Sequence, residues 1–447
     1  MASAAEQLAA NFSFKAFSKA ENLKKRLWFT LFALLVYRFG TFLPLPGIDA
    51  EVMHQLANQN ASGILGIFDK FTGGALGRMT IFALGVMPYI SASIIVQLMT
   101  AVSPQLEAIK KEGESGRKKL NQYTRFLTVA LAVVQSWGIL TGLVNMPHSP
   151  VINPGTLFMI AGVVSLTGGT LFLMWLGEQI TARGVGNGVS LIIFAGIVAN
   201  LPMAIDRTME LGRTGSLSPV MIALILTMLV AAILFIVYME RAQRRVMIQY
   251  PKRQVGMKVY GGESSHLPMK LNISGVIPPI FAGSLLGVPV TIATLGNAGG
   301  DPDSFLGTLL LYMGAGKPLH MALYIFLIVF FAFFYTAVVF NPTETAENLK
   351  KNGAIVPGHR PGRNTADHLD YIITRLTVVG AAYLALICVL PEYMIAKYSI
   401  PFYLGGTSLL IVVSVGVDTI TQIQTHLLAH QYEGLIRKQK DRKGKER

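Results

Sequence analysis

Charged residues, and acidic residues above all, are scarce in this sequence. Only 14% of its 447 residues are charged, whereas 52% are hydrophobic, and 24 Asp and Glu stand against 38 Lys and Arg. This composition excludes an ordinary soluble domain and is typical of a chain that lives in a lipid bilayer. The formal net charge of +14 calls for an acidic partner or an anionic lipid surface.

Cysteine is almost absent too. The one cysteine, Cys388, lies in an apolar run, which excludes an internal disulfide framework and favours a small buried hydrophobe over a catalytic thiol. A cleavable signal peptide is not expected, because residues 1–26 carry five Lys and Arg but no apolar core. Phenylalanines interleave with these lysines, and this pattern predicts a cytoplasmic amphipathic arm on the membrane surface.

Ionisable residues are missing from the cores of most apolar segments. A transporter of ions or polar solutes needs such residues at mid-bilayer, and an enzyme needs a nucleophile, a base or a metal site. A secondary transporter of a small solute and a membrane enzyme therefore remain only as alternatives. We expect no catalytic residue, no cofactor and no metal, because His426 and His430 supply two ligands without a third.

Ten apolar stretches are about long enough to cross a bilayer as helices. They lie at 27–46, 78–102, 125–145, 154–176, 186–204, 218–239, 273–296, 319–340, 375–394 and 401–423. Of the 38 Lys and Arg, 31 lie in the N-terminal arm, in the C-terminal tail or in alternate connecting segments. The positive-inside rule then places both termini in the cytoplasm. The sequence predicts an all-α polytopic membrane protein.

Two phrases recur at matching places in this series. GVMPYI at 85–90 returns as GVIPPI at 275–280, five spans later and so in the opposite sense, and GNGVSLI at 186–192 resembles GGTSLLI at 405–411. The echoes indicate an inverted repeat of five spans plus five. We expect each proline to bend its span, with an ordinary kink as the alternative. The predicted domains are an arm (1–26), an N-terminal half (27–204), a C-terminal half (205–425) and a basic tail (426–447).

Branched aliphatic residues occupy the middle of the four phrases. If their faces converge, they form an apolar constriction that gates by dewetting; plain core packing is the alternative. The candidates are Val86, Ile90, Val189, Ile193, Ile280 and Ile411. Residues 62–76 are apolar but too short to cross, and Gly73 and Gly74 break the helix. This segment is interpreted as a short re-entrant helix, either a removable stopper or a surface helix.

Several long motifs, in order, resemble the SecY family, the channel subunits of bacterial protein translocases. They are FALGVMPYISASIIVQL (82–98), GNGVSLIIFAGIVA (186–199), RAQRRVMIQYPKRQ (241–254), HLPMKLNISGVIPPIFA (266–282), FFYTAVVFNPTETAENLKK (333–351), VPGHRPG (356–362) and PFYLGGTSLLIVVSV (401–415). The resemblance implies two pseudo-symmetric halves of five helices around a pore whose ring is formed by the six aliphatic candidates.

The resemblance also assigns roles to other residues. The plug would comprise Gly63, Ile64, Leu65, Gly66, Ile67, Phe68, Asp69, Lys70 and Phe71. The lateral gate would lie between spans 2 and 3 and spans 7 and 8, with Pro88, Ser91, Ser93 and Pro278. The cytoplasmic loops 241–272 and 341–375 would dock partners through Arg244, Arg245, Lys252, Arg253, Lys258, Lys350, Lys351 and Arg360.

The function implied is a passive channel in the cytoplasmic (inner) membrane. It would translocate unfolded preproteins and release apolar segments sideways into lipid once a signal peptide has opened the gate. The implied partners are small membrane subunits of the SecE and SecG type, the motor ATPase SecA, the ribosome, signal peptides with their preproteins, and anionic lipids. Energy would come from these partners, since the sequence itself carries no nucleotide-binding motif.

Overall fold

The computed structural model describes residues 21–59, 69, 72–145, 149–215, 218–250, 253–255, 258–260, 264–295, 317–398 and 405–445. Helices dominate this part of the chain. In order they are α1 (Glu21–Gly40), α2 (Ala50–Gln59), α3 (Met87–Val102), α4 (Pro104–Lys111), α5 (Glu114–Val144), α6 (Thr156–Arg183), α7 (Gly188–Ala199), α8 (Leu201–Arg213), α9 (Pro219–Arg241), α10 (Ile277–Leu295), α11 (Pro318–Val339), α12 (Pro342–Lys351), α13 (Arg363–Tyr398) and α14 (Gly406–Lys445).

Each of the ten predicted spans overlaps one of these helices. Within the described residues, seven helical segments are long and apolar enough to cross a membrane when α7 and α8 are counted as one, or eight if α3 and α4, bent by 100° at Ser103, also form one span. α1 carries charged residues in its first and last turns. The side chains of α10 are described only as far as Leu286, and Ile277–Leu286 is apolar. Only three of the 23 residues of α9, Ile225, Ile236 and Met239, are buried, as expected of a helix that faces lipid.

Side-chain caps explain where several helices begin. The Asn187 side chain accepts a hydrogen bond from the Ser190 N–H at the start of α7, and Ser218 accepts one from the Met221 N–H at the start of α9. Asn341 caps α12 in the same way. Such caps satisfy first-turn N–H groups that have no partner inside the helix.

The chain divides into two compact units. Unit 1 comprises Met1–Val96, Ile109–Met203 and Val415–Arg447, and unit 2 comprises Gln97–Ala108 and Ala204–Ser414. The sequence did not anticipate that 415–447 belongs to the first unit and 97–108 to the second. The predicted domain boundaries themselves stay a prediction.

Unit 1 is built around the packing of α5 on α6. A cluster of buried apolar residues joins these two helices to the segments that precede α2 and α3. The cluster is Leu45, Ile48, Met79, Ala83, Leu84, Leu140, Leu143, Val151, Phe158 and Leu166.

Unit 2 carries strands that the sequence reading missed. β1 (Gln243–Gln249) pairs antiparallel with β4 (Ser264–Lys270), and β2 (Arg253–Val255) pairs with β3 (Lys258–Tyr260). The loop 241–272 therefore holds paired strands. Val246 and Ile248 alternate with exposed residues along β1 and are buried, the period of a half-buried strand. Val246 joins a core with Met269, Val356, Leu369, Ile372, Ile373 and Leu376.

Candidate functional site

The first Gly-Val-x-Pro-x-Ile phrase starts a helix. Gly85 has a φ of 55°, and its N–H donates to the Phe82 carbonyl at 2.8 Å. α3 begins two residues later, and the Ile90 N–H donates to the Val86 carbonyl at 3.0 Å. Pro88 thus lies in the first turn, where the N–H that proline lacks would have no intrahelical acceptor.

The second phrase has the same backbone plan 190 residues later. Gly275 has a φ of 62°, α10 begins two residues later, and Pro278 is again its second residue. The prediction that each proline bends a continuous span is therefore wrong. The chain becomes helical only after a glycine whose left-handed backbone a helix does not permit, so the two phrases set where α3 and α10 begin.

The second pair of phrases also begins helices, and each start touches the preceding span. α7 starts at Gly188 and α14 at Gly406. A Cβ on Gly188 would lie 1.9 Å from the carbonyl oxygen of Gly177 in α6. A Cβ on Gly406 would lie 2.0 Å from that of Ile387 in α13. Only glycine permits backbones to approach this closely.

These starts place two ring candidates at equivalent positions. Ile193 and Ile411 are each the sixth residue of their helix, and they are 7% and 2% exposed. The helix starts pair Gly188 with Gly406, whereas the sequence phrases pair Gly186 with Gly405. The two alignments differ by one residue. The repeat is thus visible in the helix starts of each unit.

The remaining ring candidates are less uniform in burial. Val86 is 5% exposed and precedes the first residue of α3, whereas Ile90, Val189 and Ile280 are half-buried. Four of the six candidates lie in unit 1, while Ile280 and Ile411 lie in unit 2. Their convergence around one axis stays a prediction.

The lateral-gate candidates lie on the two helices that begin alike. Pro88 and Pro278 are buried in the first turns of α3 and α10. Ser91 and Ser93 are half-buried and lie further along α3. The gate role of these four residues stays a prediction.

Most of the predicted plug lies outside the described residues, and only Asp69 is within them. Its Oδ1 accepts the Gly77 N–H at 2.6 Å. Burial raises the pKa of the Asp69 carboxyl above its ordinary value, and the hydrogen bond from Gly77 and the charge of Arg78 oppose that rise. Gly73 and Gly74 have φ values of 68° and 84°, as expected of the predicted helix break.

The chain that follows Asp69 is fastened to α1. The Tyr37 hydroxyl donates to the Thr72 carbonyl at 3.2 Å, and Arg38 Nη1 donates to the Gly73 carbonyl at 3.0 Å. These bonds fix the end of the predicted plug segment to one helix of unit 1.

The docking candidates that the structure describes lie on two loops of unit 2, 241–272 and 341–375, which are joined to each other. Gln249 and Ile355 exchange backbone hydrogen bonds of 2.8 and 2.9 Å, which ties β1 to the second loop. Arg244 and Arg245 are exposed on β1, as are Arg360 and the two lysines that end α12, Lys350 and Lys351. Lys252 lies outside the described residues, and only the strand positions of Arg253 and Lys258 are described.

The two histidines His426 and His430 lie one helical turn apart in α14. His426 is exposed on α14, while the side chain of His430 lies outside the described part of the chain. Among the described residues, no group of three His, Cys, Asp or Glu side chains could hold a metal ion.

Two glycines that the sequence analysis missed, Gly169 on α6 and Gly380 on α13, contact the backbone of the segments that lead into α3 and α10. They are called the seat glycines below. A Cβ on Gly169 would lie 2.0 Å from the Ile81 carbonyl oxygen, and one on Gly380 would lie 3.2 Å from that of Leu271. Ile81 and Leu271 are again 190 residues apart. Each seat glycine therefore supports the segment that leads into α3 or α10. Nothing in the sequence distinguishes these two from the other glycines among the 44.

Comparison with known proteins matches this chain to one family. A family model described as SecY matches residues 80–420. The chain is 53% identical over 433 residues to the protein translocase subunit SecY of Rickettsia conorii, which covers 96% of this chain and 99% of the relative. It is 55% identical over 418 residues to the subunit of the same description in Escherichia coli K12, covering 93% and 94%.

Solved structures share the fold. A structure described as a protein conducting channel aligns with a TM-score of 0.66 at 19% identity, covering 90% of this chain and 92% of that one. Sec61 in the canine ribosome-channel complex from the endoplasmic reticulum aligns with a TM-score of 0.63 at 18% identity and the same coverage. The predicted fold class, an all-α polytopic membrane protein with ten spanning helices, is confirmed.

Proposed function

This chain belongs to the SecY family, and from that premise we propose how it conducts polypeptide. It is the channel-forming subunit of a protein translocase and a multi-pass membrane protein. It moves unfolded preproteins across a membrane and inserts membrane proteins into it. The residues that perform this work, the partners and the orientation are the content of the proposal.

The pore ring consists of the six aliphatic candidates. The observation that supports it is the equivalence of the helix starts: α3 matches α10, α7 matches α14, and Ile193 and Ile411 hold the same helical position. Branched aliphatic side chains repack around a passing chain without demanding specific hydrogen bonds. The same side chains form a constriction from which water is expelled when no chain is present.

The lateral gate opens between α3 and α10. A signal peptide with an apolar core of about 7 to 15 residues wedges between these helices. Each Leu, Ile, Phe or Val that reaches lipid contributes about 0.3 to 0.6 kcal/mol. Opening displaces the plug and lets the following chain pass through the ring. Sufficiently apolar segments leave sideways, so one gate serves both translocation and insertion.

The basic surface of unit 2 docks the partners that supply energy. Arg244, Arg245 and Arg360 are exposed on loops that are tied together by the Gln249 and Ile355 backbone bonds. Such a surface suits the acidic parts of a SecA-type motor or ribosomal RNA, which rewards bound cations through counterion release. One structural relative is described as part of a ribosome-channel complex. SecE-type and SecG-type subunits complete the assembly.

The chain lies in the cytoplasmic membrane with both termini in the cytoplasm. The bias of Lys and Arg toward the arm, the tail and alternate loops supports this orientation. It also brings the basic surface to the side where preproteins are made. The chain itself performs no catalysis, and anionic lipids neutralise part of its positive charge.

Cross-linking of a stalled preprotein tests the ring. In a Cys388→Ala background, one cysteine is placed at Ile90, Ile193 or Ile280. Leu234→Cys on α9 is the matched control, because Leu234 is 64% exposed on a helix that faces lipid. We expect cross-links from the three ring positions and none from the control. A stalled chain that joins Leu234→Cys but never the three positions contradicts the ring assignment.

The alternative of a solute transporter has no support, because neither the relatives nor the solved structures described above are solute carriers.

A further inference from the structure

A buried amide joins the end of α9 to the segment that leads into α10. Asn272 is 4% exposed, and its Nδ2 donates to Glu240 Oε1 at 2.8 Å and to the Gly275 carbonyl at 3.1 Å. Its Oδ1 accepts from the Ser274 hydroxyl at 3.1 Å, and Ser274 is also 4% exposed. Asn272, Glu240 and Ser274 are called the amide clamp below. A hydrogen bond from a buried amide to a carboxylate is stronger than one between neutral groups.

Backbone contacts hold the same segment on its other sides. The Leu271 N–H donates to the Ala242 carbonyl at 2.9 Å, just after α9 ends. The seat glycine Gly380 places α13 against the Leu271 carbonyl and against Asn272, whose Cα would lie 3.6 Å from a Cβ at Gly380. The segment is therefore fixed between α9 and α13, and the amide clamp is the side-chain part of that fixation.

Unit 1 fixes the equivalent place by different chemistry. The residue 190 positions before Asn272 is Phe82, whose ring stacks on Phe172 at 5.8 Å and on Tyr37 at 6.3 Å between centroids. Stacked rings tolerate small displacements, because dispersion and area burial have little directionality. The amide clamp is directional, since its bonds weaken steeply once distance or angle changes. The hydrogen bonds that hold the start of α10 are therefore lost when this segment is displaced, whereas stacked rings would remain in contact.

We propose that Asn272 is a positioning residue for the gate, acting through Glu240 to hold the segment that leads into α10 at the end of α9. The proposal rests on the proposed function, in which α10 is one wall of the lateral gate. A contact that exists in one position of α10 and is lost on displacement biases the equilibrium toward the first position. A hydrogen bond to a charged group shifts such an equilibrium by about tenfold or more.

Export of a reporter enzyme that lacks a signal sequence tests the amide clamp, with a normal precursor measured in parallel. Asn272→Asp removes the donor and sets one carboxylate against another, so we expect signal-independent export to rise at least about tenfold. Glu240→Gln keeps an acceptor oxygen for Asn272 and is the matched control, with a much smaller rise. The combination N272D/E240Q restores an amide and carboxylate pair in the reverse order, and its export should return close to the parent level.

A merely structural role of Asn272 would lower the amount of the protein in the membrane but would not raise signal-independent export. If Asn272→Asp does not accumulate, Asn272→Ser removes the same donor without adding a charge, and the same rise is expected. Unchanged signal-independent export beside normal precursor export refutes the amide clamp alone. Failure of the unsubstituted chain to export the normal precursor refutes the proposed function and the amide clamp with it.

Discussion

Replacing the seat glycine Gly169 with alanine should strain the segment that leads into α3. The new Cβ would lie 2.0 Å from the Ile81 carbonyl oxygen and 3.2 Å from a ring carbon of Phe82. Because a real Cβ does not come closer than 3.0 Å to such an atom, α6 or the segment must move by about 1 Å. A displacement of this kind costs about 1 to 3 kcal/mol.

The neighbouring glycine supplies the control. Gly168 lies on the same turn of α6, and a Cβ there would meet nothing within 4 Å. Gly168→Ala should therefore stabilise the helix by up to about 1 kcal/mol, the difference between the two residues in helix propensity. The two variants make the same chemical change on the same helix, but Gly168 is exposed and Gly169 is buried, so a difference between them reports the contact with Ile81.

The assay compares thermal unfolding of the purified, detergent-solubilised variants and their export of a normal precursor. We expect Gly169→Ala to unfold at a lower temperature than the parent and to export more slowly, because the displaced segment carries Val86 and the start of α3. Gly168→Ala should match or exceed the parent in both. Equal unfolding temperatures and equal export for the two variants would refute the reasoning.

Three further predictions concern other parts of the chain. Arg360→Glu should slow motor-driven export about tenfold or more, as measured by precursor uptake into vesicles. Tyr37→Phe removes the hydroxyl bond to Thr72 and should destabilise the solubilised protein by about 1 kcal/mol in thermal unfolding. Burial raises the pKa of Asp69 in the folded protein. As the pH rises from the ordinary aspartate range through the raised pKa, the folded protein loses stability relative to the unfolded chain, because burial disfavours the ionised carboxylate. The unfolding temperature of Asp69→Asn relative to the parent should therefore rise across that pH window, and a constant difference would contradict this.

The fold was predictable because a bilayer leaves few choices. A spanning segment must satisfy its backbone internally, so apolar stretches of sufficient length become helices. All ten predicted spans overlap helices. The exact helix starts were not predictable from hydropathy, because residues 81–86 are as apolar as the helix that follows. Only the left-handed Gly85 separates them, and hydropathy does not register backbone conformation.

The candidate site was predictable in part for a similar reason. The recurring phrases pointed to the starts of α3, α10, α7 and α14, although the second pair of phrases aligned one residue away from the equivalence of Ile193 and Ile411. The contacts that hold those helices in place could not be predicted from the sequence. The seat at Gly169 and the bond from Asn272 to Glu240 join residues far apart in the chain. A single sequence does not show which distant backbone a glycine or an amide will meet.

The prolines at the start of α10 bear on how a passage through a membrane stays free of water. Every helix start exposes about four amide hydrogens that its own turns do not satisfy, and each would attract a water molecule or a polar side chain. Pro278 and Pro279 carry no such hydrogen, and both lie in the first turn of α10. In the proposed channel, the first turn of this helix therefore offers water fewer hydrogen-bond donors, and a chain of water molecules that could conduct protons has fewer sites at which to bind.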